Sequence, residues 1–215
     1  MRKQFFVMLG LLISITSAYG ADVGMVTALS GTVQLHEGLQ AGKELQSFIK
    51  LRENDKLTLQ SGTRLQIVFF EDGLQETWQG AAELQIGHSS SRLLKGNPAK
   101  EQKTLPAILV KQLTKTPSPE RGRAGMVRMR SITAPKVDVD ALENAYGDMR
   151  SALPSQDMAP ELFLLSGYFE LRAFDKIEQH LEKLKQSGVP AAELARLDSL
   201  YAQAIALDKS SGKAE

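Results

Sequence analysis

Cysteine is absent from the 215 residues. That absence excludes disulfides, thiolate metal sites, thiol nucleophiles and thiol redox chemistry, so the fold must hold together through its core without covalent staples. Histidine occurs three times, as His36, His88 and His180, without the close spacing that a metal motif requires. Aromatic residues are 6% of the chain, and Trp78 is the single tryptophan. The formal net charge is only +1. Beyond the first twenty residues no apolar run approaches the roughly 20 residues of a membrane span.

What is present begins with an export pattern. Arg2 and Lys3 form a positive start, Phe5 to Ile15 an apolar core, and Ala18-Tyr19-Gly20 a small-residue cleavage site. Residues 1–20 are therefore expected to be a signal peptide, with the mature chain starting at Ala21 and no transmembrane segment remaining after cleavage; an uncleaved anchor is the alternative. No cysteine follows to carry a lipid. The expected location is the periplasm, or outside the cell.

The small net charge conceals a division. Residues 21–87 carry five basic and nine acidic side chains, a balance of −4; residues 88–137 reach +9 and residues 138–215 fall to −6. A basic middle thus joins two acidic ends.

Short β-type segments recur early: Met25–Leu29, Thr32–His36, Lys56–Gln60, Thr63–Phe70, Leu74–Trp78 and Ala82–Ile86. Turn pairs such as Ser30-Gly31, Asn54-Asp55, Ser61-Gly62 and Asp72-Gly73 separate them. Asp72-Gly73 suits a two-residue hairpin turn. Leu65, Ile67 and Phe69 alternate onto one face, while Val68 and Phe70 add bulk to the other, which predicts cover on both sides. Residues 21–87 are read as an all-β domain, a sandwich, roll or short solenoid.

Residues 88–137 read as a basic linker broken by Ser89-Ser90-Ser91, Gly96-Asn97-Pro98 and Pro117-Ser118-Pro119. One short helix is expected within it, with Pro106 in its first turn and Leu105, Ile108, Leu109 and Leu113 on one face. From Asp138 to 215 the period turns helical, predicting four helices in antiparallel hairpins. Asp140 is expected to cap the first, with Glu143 reaching back, and Asp157 to open the second. Phe174 to Leu184 form a third, stopped at Ser187-Gly188, and Ala191 to Leu207 a fourth. The fold class is β followed by α.

The run Gly24-Met25-Val26-Thr27-Ala28-Leu29-Ser30-Gly31-Thr32-Val33 resembles the opening of the FecR domain. Ser61-Gly62-Thr63 and Ile67-Val68-Phe69-Phe70-Glu71-Asp72-Gly73 look like that family's middle block, and Ala82–Ile86 like its closing strand. The resemblance implies an extracytoplasmic β module of the kind found in envelope sensors and other cell-envelope proteins. The chain departs from the sensors in having an export signal where they carry a cytoplasmic segment. Residues 158–191 are similar to one degenerate tetratricopeptide repeat, through Tyr168, Phe174, Ile177, Leu181 and Leu184, although Leu165 and Ile177 replace that repeat's small residues. Such bundles bind proteins.

No catalytic constellation stands out. Glu71 and Asp72 are explained by turn chemistry, and the three histidines are read as isolated surface groups, His180 on the polar side of its helix. Trp78 is either a stacking platform for a sugar or protein, or core. Arg121, Arg123, Arg128 and Arg130, with Lys111 and Lys115 upstream, form a basic stripe. Its target is an anionic lipid, a cell-wall polymer or an acidic protein face, or else the chain's own acidic ends; export argues against nucleic acid. The expected function is non-enzymatic and cofactor-free, with no metal: protein interaction or sensing in the cell envelope, through exposed strand edges and the helical face. Binding to cell-wall polymer or anionic lipid is the alternative.

Overall fold

The computed structural model describes residues 20–38, 42–118 and 138–211. The expected signal peptide, apart from Gly20, and Arg121, Arg123, Arg128 and Arg130 of the basic stripe lie outside the described residues.

Ten strands precede five helices. The strands are β1 (Asp22–Ser30), β2 (Val33–His36), β3 (Lys43–Glu44), β4 (Lys50–Arg52), β5 (Lys56–Leu59), β6 (Arg64–Phe69), β7 (Leu74–Gln79), β8 (Ala82–Ile86), β9 (Ser91–Gly96) and β10 (Ala99–Thr104). The helices are α1 (Ala107–Leu113), α2 (Val139–Ala152), α3 (Ala159–Glu170), α4 (Phe174–Lys185) and α5 (Ala191–Ser211). The first sheet runs β10-β7-β6-β1-β4 and the second β3-β2-β5-β8-β9, with antiparallel pairing throughout.

Alternation along the strands divides the apolar residues between two cores. Leu65, Ile67, Phe69 and Trp78 of the first sheet meet Leu35, Leu57, Leu84 and Ile86 of the second in one buried cluster. Met25 and Val68 point the other way and join a second cluster with Leu109, Leu113, Leu162, Leu165 and Tyr201 of the helices. The first sheet is therefore covered on both faces, which is why β6 is buried at five of its six positions. No helix among the described residues is long and apolar enough to cross a membrane.

Several expectations change. The stretch read as linker contains two strands: β9 extends the second sheet beside β8, and β10 extends the first beside β7. They alternate poorly in hydropathy because each is a terminal strand with little to bury. Between them Asn97-Pro98 carries the chain from one sheet to the other; Gly96 has φ +99°, and a Cβ there would lie 2.6 Å from the Ala81 carbonyl oxygen. β3 and β4, at two and three residues, are too short to show a period. The β6–β7 connection has four residues, Phe70–Gly73, in place of a two-residue turn. Gly73 has φ +67°, and a Cβ would come within 3.0 Å of the Leu105 carbonyl oxygen.

In α1, Val110 is buried in place of Ile108, which faces solvent. The cap of α2 is Asp138, whose side chain accepts from the Ala141 amide at 2.7 Å. Glu143 does not reach back; its Oε1 accepts from the Tyr168 hydroxyl at 2.7 Å and Lys176 at 2.8 Å. Asp157 does stand at the start of α3, accepting from the Ala159 amide at 3.0 Å. Gly188, at φ +81°, follows α4.

Candidate binding surface

β7 places Glu76 and Trp78 on the face toward the second sheet, and Gln75 and Thr77 on the face toward the helices. Trp78 is 3% exposed. Its indole N–H donates to Glu76 and to Ser91 Oγ, each at 3.0 Å, and Lys100 Nζ stands 4.6 Å over the ring. The ring is core, and the stacking role is corrected on that ground: no face is open to a ligand. Glu76, wholly buried, also accepts from the Ser91 backbone amide at 3.2 Å, the Ser91 hydroxyl, and Gln102 at 3.0 Å, with Lys100 at 2.8 Å. One carboxylate thus ties β7, β9 and β10, joining the two sheets at their shared edge.

On the opposite face, Asp157 descends from the turn before α3 onto the first sheet. Its carboxylate accepts from Gln66 Nε2 at 3.1 Å, Gln75 Nε2 at 3.2 Å and Lys103 Nζ at 2.8 Å. Arg150 shapes that turn by donating to the carbonyls of Leu153 at 3.0 Å, Asp157 at 2.8 Å and Pro154. Beside the Asp157 contact lies a shallow cleft of about 210 Å³, walled by Arg64, Gln66, Gln75, Thr77 and Lys103 from the sheet and by the 154–157 turn. Gln75 is 1% exposed, and its Oε1 has no hydrogen-bond partner among the described residues. Sequence reading passed over Gln66 and Gln75. The one available signal was Gln66, an amide between Leu65 and Ile67; Gln75 stands just before Glu76 and Thr77 and gave none.

The exposed edges are the other unusual surface. β9 ends the second sheet and β10 the first, and they follow one another in the chain. All residues of β10, and all of β9 after Ser91, are exposed. Leu93 and Leu94, 41% and 42% exposed, stand on β9 where the register shifts opposite Glu83 and Leu84. Arg92, Lys95, Lys100 and Lys103 make the same two strands basic.

The remaining candidates do not converge. His88 lies 3.7 Å from Glu71 at an exposed loop, and His36 is 3.4 Å from Thr58. His180 is buried, not on a polar surface: its Nε2 is 2.7 Å from Glu161, and its ring meets Tyr146 edge-on. Burial works to raise the Glu161 carboxyl, but contacts from His180, Arg150 and Tyr146 outweigh it and hold the group below the usual glutamate range. Burial and the Glu161 charge push the Tyr146 phenol well above its ordinary value. Among the described residues no group of three or more His, Asp or Glu side chains is arranged to hold a metal ion. Lys115, upstream of the basic stripe, pairs with Glu170 of α3. In comparisons with known proteins, the chain matches no family model, no curated protein and no solved structure.

Proposed function

We propose that this chain is an exported cell-envelope protein that works by association, taking a protein partner on the outer edge of β9. The observation that carries the reading is a terminal strand, β9, with two exposed leucines. A terminal strand offers unpaired backbone N–H and C=O groups to an added strand, and exposed apolar side chains supply the area that makes the addition favourable. The FecR-like run at residues 24–87 and the repeat-like helices at 158–191 support the same class of function, and the leader-like residues 1–20 support its location.

Photocrosslinking in intact cells tests this. A crosslinker at Leu94 is expected to give a discrete adduct with an envelope protein, one at the exposed Glu178 of α4 none, and a Leu93→Lys change should remove the adduct. Equal labelling from both positions, or recovery of the chain with the cytosol, defeats the reading.

A second reading, association with anionic lipid or cell-wall polymer, is favoured by the +9 balance of residues 88–137. It predicts sedimentation with anionic vesicles that fades as salt is raised.

A further inference from the structure

The two open strand edges differ in how their cations are used. On β10, Lys100 answers Glu76 and Lys103 answers Asp157, both buried carboxylates. On β9, Arg92 reaches only the neutral side-chain amide of Gln85, and Lys95 stands 3.6 Å from Glu83 at an exposed site. Lys56 of β5, opposite Gln85, has no ion pair among the described residues. Lys56, Gln85 and Arg92 thus form one row across three strands on the outer face of the second sheet, with a cation at each end. The backbone of β9 is as specific. Ile86 donates to the Asp55 carbonyl and accepts from the Asn54 amide, each at 2.8 Å, so its N–H and C=O turn away from β9. By the alternation of an antiparallel ladder, Gln85 then pairs with Arg92, and the N–H and C=O of Leu93 point to the open side. The Leu93 side chain, opposite Leu84 of the core, lies on the core face and stays partly exposed because no strand lies beyond it. Leu94 has no residue opposite; this bulge keeps the usable edge short.

We propose that the β9 edge takes a short extended segment of a different protein, one that alternates acidic and apolar residues. Its apolar side chains lie beside Leu93 and continue the core, and its acidic ones lie on the outer face beside Arg92 and toward Lys56. A second copy of this chain does not meet the demand. Antiparallel pairing of β9 with itself brings two copies each of Arg92 and Lys95 onto one small face, and some registers set cation directly opposite cation. The inference rests on the association reading above and adds the chemistry of the partner.

Three acetylated and amidated peptides probe the edge: Ser-Glu-Val-Glu-Val-Glu-Ser, its counterpart with lysine for glutamate, and its counterpart with serine for valine. Each is titrated into the purified full chain, with amide NMR and hydrogen exchange read at Leu93. The glutamate–valine peptide is expected to bind saturably below about 1 mM and to slow exchange of the Leu93 amide. Affinity should fall about tenfold with lysine in place of glutamate, or with serine in place of valine, and should weaken as salt is raised. Arg92→Glu changes an exposed side chain, should leave urea unfolding as it is, and should reverse the preference between the glutamate and lysine peptides. The inference is overturned by equal binding of those two peptides, by a preference unchanged in Arg92→Glu, or by no binding of any peptide up to about 1 mM. A dimer of the unaltered chain with its Leu93 amide protected overturns it as well, as does protection by anionic vesicles in place of the peptide. The Leu94 crosslink in cells separates the two levels: if it forms while the peptides fail, association stands and the acidic partner is wrong, and if it also fails, both are lost.

Discussion

Glu76 and Asp157 are buried carboxylates on opposite faces of the same sheet, and both are neutralised from the same strand. β10 alternates, so Lys100 reaches the face toward the second sheet and Lys103 the face toward the helices. The two differ in what they join. Every partner of Glu76 belongs to β7, β9 or β10, so that carboxylate closes the sandwich edge. Asp157 comes from the helical region and takes Gln66, Gln75 and Lys103 from the sheet, so it pins one layer to the next. A strand with no apolar side chain except Ala99 is thus held by its ladder and by two ion pairs, and each pair does a different structural job.

The largest effect is expected from emptying the two sites. Glu76→Ala leaves Lys100 and the Ser91 amide without their buried acceptor, while the Trp78 N–H keeps only Ser91 Oγ, and should lower stability by about 3–5 kcal/mol in urea unfolding. Asp157→Ala should act more locally. Hydrogen exchange is expected to show lost protection in α2 and α3 while the second sheet keeps its own, and uniform loss in both layers would refute the division of labour.

A smaller effect separates the lysines. Lys100→Met should cost about 2 kcal/mol, because Glu76 is fully enclosed and the Trp78 ring also loses its cation. Lys103→Met should cost about 1 kcal/mol, since Asp157 keeps Gln66, Gln75 and the Ala159 amide. The reverse order in matched urea titrations would break the comparison.

The smallest effect concerns a third buried carboxylate, Glu161, which ties only helices together. Its folded pKa is depressed, so the stability it contributes is complete above the unfolded glutamate value of about 4.3 and is lost as pH falls through the folded value. Glu161→Gln should therefore flatten the acid side of the stability profile, as read by thermal melts across pH. An acid limb identical in the two proteins would show that Glu161 is not held below its ordinary range.

How much could be read in advance follows from the same residues. The strands from β5 to β8 and the four long helices show themselves because half their side chains are apolar at a clear period, as in Leu65-Gln66-Ile67 or Leu181 and Leu184. β10 reads Ala-Lys-Glu-Gln-Lys-Thr and carries no such period; its place is decided by β7 beside it. Trp78, set among polar residues, looks available for stacking until Glu76, Ser91 and Lys100 close around it. His180 looked exposed on its own helix and is covered by Glu161 and Tyr146 from α3 and α2. The cleft was invisible, because Arg64, Gln75, Lys103 and Asp157 are far apart in the chain.

Hydrophobic periodicity and turn chemistry, both local properties, determined the β-then-α order, the strands from β5 to β8 and the four long helices. Which polar groups are buried, which lysine answers which carboxylate, and which strand edges stay open depend on contacts between residues far apart in the chain, 91 positions for Gln66 and Asp157. Those contacts exist only once the two sheets and the helices have packed, and so only the tertiary structure could decide them.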